Sequence, residues 1–299
     1  MRVYQASLLR VARLRFTPNA SGISVIHRRS NRIARFNLLT GVTLPNVRCD
    51  RGEISIVAHS ATGAYLAIGT ASGFVQVIRR SDDGTLLMQR IGTDPDQIAD
   101  RPVSAVQFAG TTVPKRDWLA MASVNFCLWN PYSQEHIYAE AEGDYRGASF
   151  GPDGSFVTSI EAHTHCLTAW DVKPFRVRFR TELTGIGEFA NGAVAVLPDG
   201  DRIVYAAADR LRCVAMSGGS GWEATLKRPA VDLALHPVGH TLLVADGSKR
   251  VTQFDTDSGR PVNSFDWGVG KVSCVDICRD GTLAAAGGEK GQVVEWDAE

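Results

Sequence analysis

Three short stretches of this 299-residue chain hold side chains that could do chemistry. Glu161-Ala-His163-Thr-His165-Cys166 gathers a carboxylate, two imidazoles and a thiol, and histidines two apart on a strand share a face. Cys274 and Cys278, four apart, would also lie on one side of a strand. Gly268-Val-Gly270-Lys271-Val-Ser273 has the glycines and lysine of a phosphate loop. Each stops short. A zinc site normally brings a second ligand pair close in sequence, and Cys274 and Cys278 have none. The histidine stretch reads as an exposed polar turn. Lys271 lacks an adjacent Ser or Thr, and strand residues follow it rather than a helix whose N-terminus could hold phosphate. His59 falls at a core position and reads as a hydrogen-bonded interior histidine. No Ser/His/Asp set can be assembled. The expectation is a protein with no catalytic residues, no metal site and no cofactor.

The elements around these residues repeat. One landmark is the apolar position that ends a strand before a turn, filled by Phe16, His59, Phe108, Phe150, Val196, Leu235 and Ile277, in steps of 43, 49, 42, 46, 39 and 42 residues. Two residues earlier stand Leu14, Val57, Val106, Ala148, Val194, Leu233 and Val275, on the same strand face. Turns such as Pro152-Asp153-Gly154, Pro198-Asp199-Gly200 and Asp280-Gly281 follow, with residues suited to tight hairpins. A second landmark ends the third strand of each unit, at Phe36-Asn37, Val77-Ile78, Trp129-Asn130, Trp170-Asp171, Val214-Ala215, Phe254-Asp255 and Trp296-Asp297.

A period near 43 residues with Trp-Asp endings resembles the WD40 repeat family across nearly the whole chain. The resemblance implies an all-β, seven-bladed β-propeller of four-stranded antiparallel blades, occupying residues 1–299 as a single domain. The strand-like residues 1–7 are expected to supply the outer strand of the last blade and so close it, removing an exposed edge. The family's Gly-His before the inner strand is missing here. Of the turns before the third strands, only Asp209 offers the carboxylate that usually accompanies it, so the blades are expected to be held mainly by apolar packing. Residues 91–102 and 110–117 lengthen two connections and read as loops at blade ends.

Lys plus Arg equals Asp plus Glu at 32 each, which argues against a surface coated in positive charge for bulk nucleic-acid binding. No run of 18 apolar residues predicts a membrane span, and the arginine-interrupted start does not read as a secretory signal. Six scattered cysteines suit a reduced, cytoplasmic protein, and alone the chain is expected to be monomeric. The charge is unevenly placed. By blade topology, one end of blades six, seven and one collects Arg10, Arg29, Arg228, Lys249, Arg250, Lys271 and Lys290. The corresponding end of blades three and four collects Asp94, Asp96, Asp100, Glu140, Glu142, Asp144 and Glu161. The function expected is a non-enzymatic scaffold that binds a protein or peptide partner through those seven cations. Two rivals are a propeller enzyme of lactonase or metal-dependent hydrolase type, and a nucleic-acid or phospho-ligand binder using the basic arc. The inner-strand starts, Val11, Ile54, Val103, Tyr145, Asn191, Ala230 and Val272, are largely apolar and disfavour the enzyme.

Overall fold

The computed structural model describes residues 1–299 except 8, 80–84, 91–100, 114–115, 139–142, 184–192, 220 and 299. The chain is a seven-bladed β-propeller of four-stranded antiparallel blades. Strand β1 (Arg2–Gln5) comes first. Blade one is β2 (Val11–Phe16), β3 (Gly22–His27), β4 (Arg32–Asn37) and β5 (Thr43–Arg48). Blade two is β6 (Ile54–His59), β7 (Tyr65–Thr70), β8 (Phe74–Arg79) and β9 (Thr85–Arg90). Blade three is β10 (Ala105–Phe108), β11 (Leu119–Ala122), β12 (Phe126–Trp129) and β13 (His136–Tyr138). Blade four is β14 (Tyr145–Phe150), β15 (Phe156–Glu161), β16 (Cys166–Asp171) and β17 (Arg176–Glu182). Blade five is β18 (Ala193–Val196), β19 (Arg202–Ala207), β20 (Arg210–Ala215) and β21 (Trp222–Thr225). Blade six is β22 (Asp232–Leu235), β23 (Thr241–Ala245), β24 (Val251–Asp255) and β25 (Pro261–Phe265). Blade seven is β26 (Val272–Ile277), β27 (Leu283–Gly288) and β28 (Gln292–Asp297), completed by β1.

All seven inner strands end at the landmark residue read from the sequence. The third strands end within one residue of theirs: β8 runs on to Arg79, and β12 stops at Trp129. Strand β1 pairs antiparallel with β28, from Arg2 opposite Glu295 to Gln5 opposite Gln292, as expected for the closing strand. The loop acids Asp94, Asp96, Asp100, Glu140 and Glu142 lie outside the described residues, as do residues 91–100 of the first lengthened connection and 114–115 of the second.

By contacts the chain divides into two compact units, residues 1–48 with 197–299, and residues 49–196. In each, apolar content decides which strand lies inside. Second strands such as β3, β7 and β11 are near-continuous apolar runs and are buried on both faces. Outer strands such as β5, β17 and β25 alternate polar residues and are mostly exposed. In the first unit, Val11, Leu14 and Phe16 of β2 pack with Cys274 and Cys278 of blade seven, and Val272 and Val275 pack with Leu243 and Val251 of blade six. In the second, Val103, Val106 and Trp129 pack with Ile56 and Val75. Trp129, Trp170 and Trp296 are 0%, 5% and 9% exposed, as their landmark role requires.

Apolar packing is not the whole of the seam between blades. Four residues before the landmark, Ser55, Ser104 and Ser273 each donate to the carbonyl at the start of the next inner strand. Ser55 reaches Val103 at 2.8 Å, Ser104 reaches Tyr145 at 2.6 Å, and Ser273 reaches Val11. One residue before the landmark, Ser149 accepts from the Val196 N–H at 3.0 Å and Asp276 from the Phe16 N–H at 2.8 Å. These bonds satisfy inner-strand groups that no ladder partner reaches. A small residue makes room for each incoming strand: a Cβ on Gly287 would lie 2.4 Å from Val11 Cγ1, and one on Gly69 2.7 Å from Val103 Cγ1. The expectation of blades held mainly by apolar packing therefore needs this polar addition.

A candidate interaction surface

The seven sequence-predicted cations all belong to the unit formed by residues 1–48 and 197–299. Two kinds of segment carry them: the approach to an inner strand, and the turn between second and third strands. Antiparallel pairing puts both at the same end of a blade. Arg10 precedes β2, Lys271 precedes β26 and Arg228 lies before β22. Arg29, Lys249 with Arg250, and Lys290 sit in the turns of blades one, six and seven. Backbone bonds tie these segments together. Arg28 N donates to Arg10 O at 2.9 Å, Glu289 N to Lys271 O at 2.9 Å, and Val231 N to Ala245 O at 2.7 Å. Between blades, Val272 N donates to Ser248 O at 2.7 Å, which sets Lys249 and Arg250 beside Lys271. Ala6 N and Ser7 N donate to Gly291 O, which sets Lys290 beside the approach to Arg10. Gly291 must be glycine here: its φ is +74°, and a Cβ would lie 2.1 Å from Ser7 O.

Six of the seven side chains are exposed and Arg10 is half-buried. Arg29 stands apart, with a contact of its own and a φ of +61°. The Lys290 ammonium donates to Gly268 O at 2.7 Å. Among the described residues, no carboxylate lies within ion-pairing distance of Arg10, Arg228, Lys249, Arg250, Lys271 or Lys290. Nearby Asp246 and Asp266 instead accept from the turn N–H groups of Ser248 and Gly268, at 3.0 and 2.9 Å. His27, at the end of β3, is buried. Desolvation lowers its pKa, opposed by its contact with Leu9 O, so it adds no charge here near neutral pH.

The predicted acidic counterpart looks different. Its two described members are already bound: Asp144 by Arg146 at 2.7 Å and Arg101 at 3.5 Å, and Glu161 by Arg180 at 2.9 Å, Thr164 at 2.8 Å and Thr168 at 2.7 Å. Glu161 is only 4% exposed, so the stretch 161–166 is no uniformly exposed turn; only His163 of its polar residues is fully open. The hydroxyls of Thr164 and Thr168 anchor the carboxylate from across the hairpin. One other expectation changes. His59 is half-buried rather than interior, because the face it occupies is only partly covered. Asp209 does not brace its blade but sits exposed, 3.6 Å from Arg210 Nε. Among the described residues, no group of three or more His, Cys, Asp or Glu side chains could share a metal ion. No disulfide joins the six cysteines.

Two features went unread in the sequence. One is a half-buried charge cluster on inner strands: Arg15 Nη1 lies 3.7 Å from Asp232 Oδ2, and Asp232 also accepts from Val275 N–H at 3.2 Å. Burial pushes the neighbouring Asp276 carboxyl up to about 6, opposed by Arg15 and the Phe16 N–H and reinforced by Asp232. The other is a pair of clefts flanking the end of β28. The larger, ≈ 360 Å³, is lined by residues including Arg2, Leu38, Leu39, Glu295 and Asp297. The smaller, ≈ 240 Å³, is lined by residues including Gln253, Asn263, Phe265, Trp296 and Asp297. Only the alternation of acids with apolar residues in Val-Asp276-Ile could have hinted at the first, and nothing local marks the second. Compared with the models of known protein families and with curated proteins, the chain matches none.

Proposed function

We propose that this chain is a divergent WD40-type propeller that acts as a non-enzymatic interaction scaffold, and that the cationic end of blades six, seven and one receives an acidic segment of a protein partner. The WD40 assignment rests on the repeat period, the Trp170-Asp171 and Trp296-Asp297 endings and the closing pairing of β1 with β28. The binding assignment rests on one observation. Five cations from four separate stretches, Arg10, Arg228, Lys249, Arg250 and Lys271, converge with no carboxylate partner among the described residues. A charge already paired inside the protein has little left to offer a ligand, whereas an unpaired one steers an oppositely charged partner and fixes its orientation. The strands beneath hold these residues in place before binding, which reduces the ordering cost of association. Arginine adds paired hydrogen bonds to carboxylates. The reading includes a cytoplasmic protein that is monomeric alone, in keeping with six cysteines and no disulfide.

The test has two steps. Proteins that co-purify with the intact propeller are identified, and the leading one is purified. Its association is then compared between the native chain and the triple variant Arg228→Glu, Arg250→Glu, Lys271→Glu. The variant should associate about tenfold more slowly or worse, with an unchanged Tm. Equal association rates would overturn the reading. Capture of nucleic acid with a steep loss of affinity in added salt would favour the rival binder instead.

A further inference from the structure

The same dipeptide ends the third strand of two blades, Trp170-Asp171 in β16 and Trp296-Asp297 in β28. In blade four the chain itself fills the space around it. Arg178 Nε donates to Asp171 Oδ1 at 2.6 Å, and Arg176 Nε donates to Oδ2 at 2.9 Å. The Arg178 guanidinium also lies over the Phe156 ring, 4.4 Å from its centroid. The Phe175 ring stacks on Trp170 at 6.4 Å and 9°. Burial would raise the Asp171 carboxyl, but the two arginines hold it below the usual carboxylate range.

Blade seven keeps the carboxylate and the tryptophan without the arginines; Leu283 stands opposite Asp297 where Phe156 stands opposite Asp171, and the rings beside Trp296 are Phe265 and Trp267. Pairing of β1 with β28 covers Gln292 to Glu295 and does not reach Asp297. Asp297 is exposed and has no ion partner or side-chain hydrogen bond among the described residues. Beside it opens the ≈ 240 Å³ cleft, lined by residues including Leu243, Gln253, Asn263, Phe265, Ile277 and Trp296. Trp267 backs the wall, stacked on Phe265 at 5.2 Å and 9° and packed 4.1 Å from Trp296. Asn263 Nδ2 donates to Gln253 Oε1 at 3.0 Å, which fixes the amide side of the cleft.

We infer that this cleft takes an arginine side chain presented by a peptide partner. Its volume lies below the roughly 300–1,000 Å³ of pockets that enclose whole drug-sized ligands, so it suits one side chain. Aromatic faces attract cations, and an unpaired carboxylate at the mouth selects against anions. A guanidinium stacks flat on a ring while its fork engages a carboxylate, which a lysine ammonium cannot do. Blade four holds that same combination within its own chain. The site is independent of the proposed acidic-partner surface: Lys271 and Lys290 precede the starts of β26 and β28, whereas Ile277 and Asp297 end those strands.

The test titrates the whole chain with the blocked tripeptide Gly-Arg-Gly and follows the indole proton resonances of Trp296 and Trp267. A saturable shift is expected, with half-saturation on the order of 1 mM, the range suited to a single side chain. Asp297→Asn should weaken binding at least about fivefold, a change of about 1 kcal/mol, without altering Tm. Gly-Lys-Gly should bind more weakly, and Gly-Leu-Gly weaker still. Absence of a saturable shift would overturn the inference. So would equal affinity for the lysine or leucine peptide, or an unchanged affinity in Asp297→Asn. None of these outcomes depends on whether the acidic partner of the opposite strand ends exists.

Discussion

Blade four and the cationic end of blades six, seven and one carry similar numbers of arginines and lysines and use them in opposite ways. In blade four, Arg176, Arg178 and Arg180 alternate along one face of β17, and each reaches a carboxylate of the same sheet, Asp171 or Glu161. Those acids are 8% and 4% exposed, so their charges are compensated within the fold. At the other place, Arg228, Lys249, Arg250 and Lys271 come from connections instead of a strand face and meet no carboxylate among the described residues. The difference separates cations that maintain the fold from cations available to a ligand. Removing a paired charge should cost stability, and removing an unpaired one should cost binding.

The largest effect is expected from Glu161→Ala. It leaves Thr168 with a buried hydroxyl and Arg180 without its carboxylate. Glu161 is buried but the Arg180 side chain is half-exposed, so the loss, mostly from the hydroxyls left unsatisfied, should be about 2 kcal/mol. Denaturant unfolding should show that loss, and association with an acidic partner should be unaltered. A loss below 1 kcal/mol, on the order of an exposed pair, would erase the distinction from the paired side. The triple reversal Arg228→Glu, Arg250→Glu, Lys271→Glu should give the converse: association about tenfold slower or more, equivalent to about 1.4 kcal/mol or more, and stability held. A variant that also unfolded at lower temperature would show that these cations have a structural share after all.

Asp276 lies between the two cases, a half-buried carboxylate that Arg15 compensates only in part. Its folded-state pKa of about 6 lies above the ordinary carboxylate value. As pH falls from about 6 toward 4, the folded protein therefore takes up a proton that the unfolded chain does not, and stability from this group rises on acidification. Above pH 6 the ionised form is a net cost. Asp276→Asn keeps an oxygen for the Phe16 N–H and removes the charge. It should raise stability by about 1 kcal/mol at pH 7.5, allowing for partial exposure, with the gain gone by about pH 4. Thermal unfolding at both pH values decides; a destabilised variant at pH 7.5 would mean that attraction to Arg15 outweighs burial.

The frame was largely legible in the chain because it repeats. Seven inner-strand ends could be aligned, six of them on an apolar residue and one on His59, each before a turn, a local rule that sequence states directly. Even the closing role of residues 1–7 followed from counting strands per repeat. The polar seam was written at fixed offsets too, in Ser55, Ser104 and Ser273, but a serine in a strand says nothing alone about the carbonyl it will meet in the next blade. Pairing of charges was hardest to read. Asp171 and Asp297 stand in the same dipeptide, yet only the register of the neighbouring outer strand decides that one meets two arginines and the other none. In the same way, Glu161 looked like part of an open turn because its partners, Thr168 and Arg180, are 7 and 19 residues away.

That turn offers the sharpest version of the comparison, within five residues. His163 is exposed, its ring packed against the backbone at Gly143, where a Cβ would lie 2.7 Å from His163 Cε1. His165 is half-buried at a φ of +54°, so its replacement must tolerate left-handed backbone, which asparagine does better than alanine. The double variant His163→Ala, His165→Asn should change stability by no more than about 0.5 kcal/mol, the ordinary range for surface positions. It should also leave the metal content of the purified protein unchanged. Against it stands Glu161→Ala at about 2 kcal/mol, two residues along the same chain. If the histidine pair proved as costly as Glu161, or if one zinc or iron per chain vanished with it, burial and pairing would not be what sorts these residues. A site built on the imidazoles would then replace the polar turn.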